Sequence, residues 1–232
     1  MNPPNPFTTY LREIVYGGSD GIVTTFAVVA GFTGAQSQNM TELPVLIVLL
    51  FGFANLFADG TSMALGNFLS SSAEKDVYEA EKRLERKQIQ HHLENEKKES
   101  LEILQREGFT RQQAEQLISI YVTNENYWLS FMMNHELKLP NPEEERPHFT
   151  ALATFFAFVI FGMIPLLPYV FYHRHESVFA FSVIATVLAL LLLGLLRWQV
   201  TRLHWLRSIG ETLFLGSSAA AVAYLIGVIF RI

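Results

Sequence analysis

Cysteine is absent from the 232 residues, which excludes disulfides and thiolate metal sites. An excess of positive charge is absent too. The formal net charge of −5 argues against a nucleic-acid partner, for which a basic face is the electrostatic footprint. No phosphate-cradling loop occurs, because Gly17–Gly21 lacks the strand and the Lys that such a loop needs. Neither a nucleophile elbow nor the His pair of a zinc protease is present. A cleavable leader is not expected, since the first apolar run starts after Arg12–Glu13 and continues as a full span. Over most of the chain, what is scarcest is charge itself.

What is present is hydrophobic residues, 50% of the total. Charge is confined: 16 of 22 acidic residues and 11 of 17 Lys and Arg lie between Glu74 and Arg146. Two chemistries therefore alternate, apolar spans and one charged insert. A bilayer crossing takes roughly 20 mostly apolar residues, and five segments qualify: Ile14–Ala35, Leu43–Ser70, Phe149–Tyr172, Val178–Leu196 and Ser208–Phe230. The short Gln36–Glu42 turn makes the first two an antiparallel hairpin, and His173–Ser177 joins the third and fourth. The fold class expected is all-α, five membrane helices with a cytoplasmic three-helix insert between spans 2 and 3. Residues 1–70 form the hairpin, 71–148 the insert and 149–232 the last three spans.

An odd number of spans puts the termini on opposite sides. Loop charge orients them: Gln36–Glu42 carries no cation, whereas Arg197, Arg202 and Arg207 crowd one short segment, and Arg174 and Arg231 fall on the other side. This places the N-terminus and insert in the cytoplasm and the C-terminus outside. The Asn-Pro-Pro-Asn-Pro start reads as an irregular lead. Within the insert, 71–107 lacks Pro and Gly and reads as one helix stopped by Gly108. Thr110 caps a second helix over Arg111–Val122, and a third covers Glu125–Leu137. Glu143–Glu144–Glu145 lies in a Pro-flanked linker back to the membrane.

Candidate ligands follow from spacing. Asn55, Asp59, Met63 and Asn67 recur every fourth residue of span 2 and share one helix face. Acids at membrane depth are costly, about 2.5–3.5 kcal/mol for a central Asp, and usually face a bundle interior or an ion path. Asp20 follows Gly17-Gly18-Ser19, where glycines permit close helix approach. Oxygen ligands with one thioether suit a first-row divalent ion better than Mg²⁺ or Ca²⁺. In the insert, Glu81 and Glu85 are i,i+4, and Glu96, Glu99 and Glu102 step by three. Met132, Met133, His135 and Glu136 sit together on the third helix. Against ligation stand a solvated face paired with Lys82, Arg86, Lys97 and Lys98, and Met132–Met133 as ordinary packing.

These motifs resemble the vacuolar iron transporter family, with a bacterial-type member expected. The stretches concerned are Arg12–Ala35 (REIVYGGSDGIVTTFAVVAGFTGA), Ser62–Asp76 (SMALGNFLSSSAEKD), Phe131–Leu139 (FMMNHELKL), Phe158–Tyr169 (FVIFGMIPLLPY) and Arg207–Gly227 (RSIGETLFLGSSAAAVAYLIG). The resemblance implies a homodimer in membrane lipid moving Fe²⁺, and often Mn²⁺, out of the cytosol in exchange for protons, with no organic cofactor. It implies a pathway through Asp20 and Met63, fed by Glu85, Glu96, Glu99, Met132, Met133 and Glu136. Asn67 stands where the family pattern commonly has Glu, and Gln88 departs from a Glu-x-x-Glu step. Asp59 is expected to restore the missing charge. The short termini and the second-span sequence point to a prokaryotic inner membrane, with a vacuolar membrane as the alternative if the source is eukaryotic. The readings from other classes are a membrane-anchored metal-oxidising or storage enzyme, which lacks its Glu-x-x-His step here, and a metal sensor.

Overall fold

In a bilayer every backbone polar group must find its partner inside the segment, so long apolar runs become helices. The computed structural model describes residues 9–35, 45–142, 146–172, 177–201 and 204–230. The Gln36–Glu42 turn, most of the His173–Ser177 link, the Glu143–Glu145 run and the Pro-rich lead lie outside the described residues. The elements are α1 (Leu11–Ala35), α2 (Val45–His91), α3 (Leu93–Arg106), α4 (Arg111–Tyr121), α5 (Glu125–His135), α6 (Pro147–Met163), a 3₁₀ turn (Ile164–Leu166), α7 (Leu167–Phe171), α8 (Val178–Thr201) and α9 (Trp205–Ile229). No strand occurs among the described residues. Five helical stretches are long and apolar enough to cross a membrane. The chain divides into two compact units, residues 1–68 with 147–232, and residues 69–146.

In the first unit α1 is central, packing on α6, α8 and α9. Its small residues allow this. A Cβ on Gly21 would strike the Phe158 carbonyl, and one on Gly227 would strike the Gly31 carbonyl, so side-chain-free positions let α1 touch α6 and α9 backbone to backbone. The third span is not the single helix expected over Phe149–Tyr172. Pro165 and Pro168 withhold the amide hydrogens that an α-helix needs, and a 3₁₀ turn separates α6 from α7. Ser182 on α8 donates to the Pro165 carbonyl (2.7 Å). Leu166 is wholly buried, with its Cδ2 2.7 Å from where a Cβ on Gly52 would stand.

In the second unit the expected single helix over 71–107 is two. α2 runs without interruption out of the apolar half, through Ser70, to His91; His92 then leaves helical geometry (φ −128°, ψ 41°) and starts α3. No Pro or Gly marks this break, which is why composition did not reveal it. Gly108 does end α3 as expected, at φ 98°. Its N–H reaches Gln105 O and that of Phe109 reaches Leu104 O (both 3.1 Å), a Schellman closure. Thr110 caps α4 in a reciprocal pair with Gln113. The Asn124 side chain caps α5 by accepting from Tyr127 N (3.2 Å). Trp128, Leu129, Met132 and Met133 fill the unit's core against Tyr78, Ile89, Ile103 and Leu104.

Candidate metal centre

Eleven positions separate Glu85 from Glu96, which would set them about 16 Å apart along an unbroken helix. The break at His92 folds α3 back instead. Carboxylate oxygens of Glu85, Glu96 and Glu136 all lie within 4.8 Å of one another. Glu136 closes α5 as its C-cap residue. Glu85 and Glu96 are only 3% and 2% exposed, and Glu136 is partly exposed.

Three oxygens in this cluster, Glu85 Oε1, Glu96 Oε2 and Glu136 Oε2, are buried without a hydrogen-bond partner. Buried charge is tolerated when it is paired or holds a cation. Pairing is not what this site shows: the charges acting on Glu85 are those of Glu96, Glu136 and Glu99. Two cations expected as partners are engaged elsewhere, Lys97 with Glu94 (2.7 Å) and Arg86 with Glu125 (3.7 Å). Burial, then the repulsion of the neighbouring carboxylates, pushes the Glu85 carboxyl up to about 8. Burial first, then Glu99 and Glu96, pushes Glu136 up to about 7. Burial also raises Glu96, opposed by a hydrogen bond with Glu85 and by nearby His92. A divalent ion bound by two or three of these oxygens removes both penalties together, the orphaned acceptors and the mutual repulsion.

The other expected insert ligands divide. Glu99 is exposed and adjoins Glu136, whose carboxyl it both repels and hydrogen-bonds. Glu81 is half-buried one turn before Glu85, and nothing draws it into the trio. Met132 and Met133 are wholly buried in the core. The Met132 sulfur accepts from Ser100 Oγ (3.2 Å), which in turn accepts from Trp128 Nε1 (2.8 Å). Sequence reasoning missed Ser100 and Trp128, since a lone Ser and Trp on different helices carry no spacing signal.

In the membrane unit the four-residue stripe keeps one face: Asn55, Asp59, Met63 and Asn67 are all half-buried. Asp20 lies close enough to Asp59 to feel its charge. Met63 packs with Leu56, Phe158 and Val159. Asn55 lines a cleft of about 570 Å³ with Val28, Gly31, Phe51 and Gly227. Asn67 Nδ2 donates to Thr154 Oγ1 on α6 (2.7 Å). Glu211 bridges Arg197 and Arg207 (2.9 Å each).

Comparison with known proteins agrees with this chemistry. The chain is 36% identical over 215 residues to vacuolar iron transporter 1 of Arabidopsis thaliana, covering 92% of this chain and 83% of the relative. It is 32% identical over 240 residues to the vacuolar iron transporter of Toxoplasma gondii, covering 100% and 78%. With that of Plasmodium berghei it shares 33% over 231 residues, covering 96% and 82%. These relatives are eukaryotic, so the expected bacterial-type assignment is not borne out. They are transporters by name, in keeping with a non-enzymatic role. The VIT family profile matches residues 11–228, and the chain belongs to that family.

Proposed function

We propose that this protein carries Fe²⁺, and Mn²⁺ beside it, across the membrane, moving the ion out of the cytosol in exchange for protons. The observation that supports this most is the convergence of carboxylate oxygens from Glu85, Glu96 and Glu136 within 4.8 Å, in carboxyls that each keep one buried oxygen without a hydrogen-bond partner. That cluster, with Glu99 at its edge, collects the ion from dilute solution. Glu81 lies one turn from it as an outlying oxygen ligand, and Met132 and Met133 back it as core. Asp20, Asp59 and Met63 then pass the ion through the bilayer, with Asn67 and Asn55 on the same face. Carboxylates bind a cation only when ionised, so a proton arriving at Asp20 or Asp59 promotes release. The same physics gives antiport. Two subunits side by side would enclose the stripe, and the loop charges orient the insert toward the cytosol.

Flux into proteoliposomes under an imposed pH gradient tests this. Fe²⁺, kept anaerobic, and Mn²⁺ should enter the wild type, and entry should collapse in Asp20→Ala and Met63→Ala. Unchanged flux in both variants removes the pathway.

A further inference from the structure

Thr154 is wholly buried on α6 and belongs to none of the stretches discussed so far as ligands. Its hydroxyl donates to Thr150 O (2.9 Å) and accepts from Asn67 Nδ2 (2.7 Å). A hydroxyl has one hydrogen to give. With that hydrogen spent on Thr150, Thr154 offers residue 67 only lone pairs, and lone pairs select an N–H.

This settles which way the Asn67 amide turns. Its nitrogen is held by Thr154, and Oδ1 is the amide's remaining polar atom. It sits one turn from Met63 and two from Asp59 on the same face of α2. The distinction matters for a cation, because an amide oxygen can ligate and an amide NH₂ cannot. We propose that Thr154 is a positioning residue for ion passage, which fixes the Asn67 side chain with its carbonyl oxygen available to the metal. The proposal rests on the transport reading above. It also gives position 67 a reason to be an amide: a carboxylate there would meet a hydroxyl whose one hydrogen is already given to Thr150 O.

Removing the hydroxyl need not part the helices. Phe68 and His148 hold the same two segments together through a ring contact (5.0 Å between centroids), and Met63 packs on Phe158 and Val159.

Initial-rate Fe²⁺ uptake by full-length protein in liposomes tests the proposal, using wild type, Thr154→Val, Thr154→Ser, Asn67→Ala and the double variant T154V/N67A. The worth of one hydrogen bond sets the scale: Thr154→Val should raise KM roughly three- to tenfold, with little change in the maximal rate. Thr154→Ser should restore the wild-type value. The double variant should be no worse than Asn67→Ala alone, because both changes remove one interaction. A wild-type KM in Thr154→Val, or effects that multiply in the double variant, overturns the role. Should Thr154→Val fail to fold, a wild-type KM in Asn67→Ala overturns it equally. A wild type without flux removes the transport reading and this role with it, whereas an active wild type with unaltered Thr154→Val removes this role alone.

Discussion

The acids of the insert and those of the membrane spans solve opposite problems. In the insert, three carboxylates from α2, α3 and the end of α5 are drawn to one point, their oxygens within 4.8 Å. Two oxygens facing each other across an ion at roughly 2.0–2.6 Å each span just such a gap. In α2 the polar residues step by four, so neighbours lie about 6 Å apart along the axis, too far for consecutive ones to grip a single ion from one helix. On the function proposed above, the first arrangement acts as a chelate and the second as a row of stations. The surroundings follow suit. The trio is backed by a dense core of Trp128, Met132 and Met133, and three of its oxygens are buried without a hydrogen-bond partner. The stations are half-buried and individually supported, Asn67 by Thr154 and Met63 by Phe158.

The sharpest way to break this contrast is to remove one station. Asp59→Asn should abolish Fe²⁺ flux into vesicles, a loss of a hundredfold or more on the scale of roughly 2.7 kcal/mol, while metal binding to the insert persists. Normal uptake by that variant would take Asp59 out of the conduit. Next in size is the chelate itself. In the full-length protein, Glu85→Gln with Glu96→Gln should weaken Mn²⁺ binding at the insert by at least tenfold, yet flux at saturating metal should fall far less than in Asp59→Asn. Equal losses in the two experiments would mean one continuous site rather than a collector and a conduit.

A smaller effect is the response to pH. Glu85 and Glu136 titrate at about 8 and about 7 in the folded protein, against an ordinary value near 4.3 for Glu. Folded pKa values above unfolded ones mean that the native state holds extra protons between about pH 4.5 and 8. The metal-free insert is therefore most stable below that window and loses stability as pH rises through 7 and 8. Metal reverses the sign, since it takes the place of those protons. The rise in melting temperature on adding Mn²⁺ should be slight near pH 5.5 and grow toward pH 8. Calorimetry in buffers of different ionisation enthalpy should show proton release on binding near pH 6.5. A metal-induced shift that is flat across this range would mean that these carboxyls are not the ligands.

Much of this architecture was legible because bilayers and helices impose simple periods. The five spans, the Gly108 stop and the Thr110 cap each follow from one local rule. The helix break at His92 did not show, because nothing in Gln90–Leu93 is a helix breaker and the reversal is a product of tertiary burial. Yet that break is what turns Glu85 and Glu96, eleven positions apart, into neighbours. The i,i+4 spacing of Glu81 and Glu85 could not point to the trio for the same reason: that geometry describes one helix, and Glu85, Glu96 and Glu136 come from three elements. The 3₁₀ interruption at Pro165 was available in the sequence, where two prolines three residues apart should outweigh an apolar run.

The least effect is expected at Met132, and it bears on which metal the insert prefers. Met132 is wholly buried, and its sulfur is occupied by the Ser100 hydroxyl. Met→Leu conserves volume and typically costs under about 1.5 kcal/mol, so Met132→Leu should lower stability slightly and leave Fe²⁺ and Mn²⁺ affinities within twofold. Ser100→Ala is the companion, because it leaves the Trp128 indole N–H buried without an acceptor, a penalty of about 1–3 kcal/mol. It should cost more stability than Met132→Leu and equally little affinity. An oxygen-only trio has little reason to discriminate Fe²⁺ from Mn²⁺, whereas a thioether ligand tilts a site toward softer ions. A tenfold loss of Fe²⁺ affinity in Met132→Leu, with Mn²⁺ spared, would move the sulfur from the core into the coordination shell and give the insert a means of selection that its carboxylates alone lack.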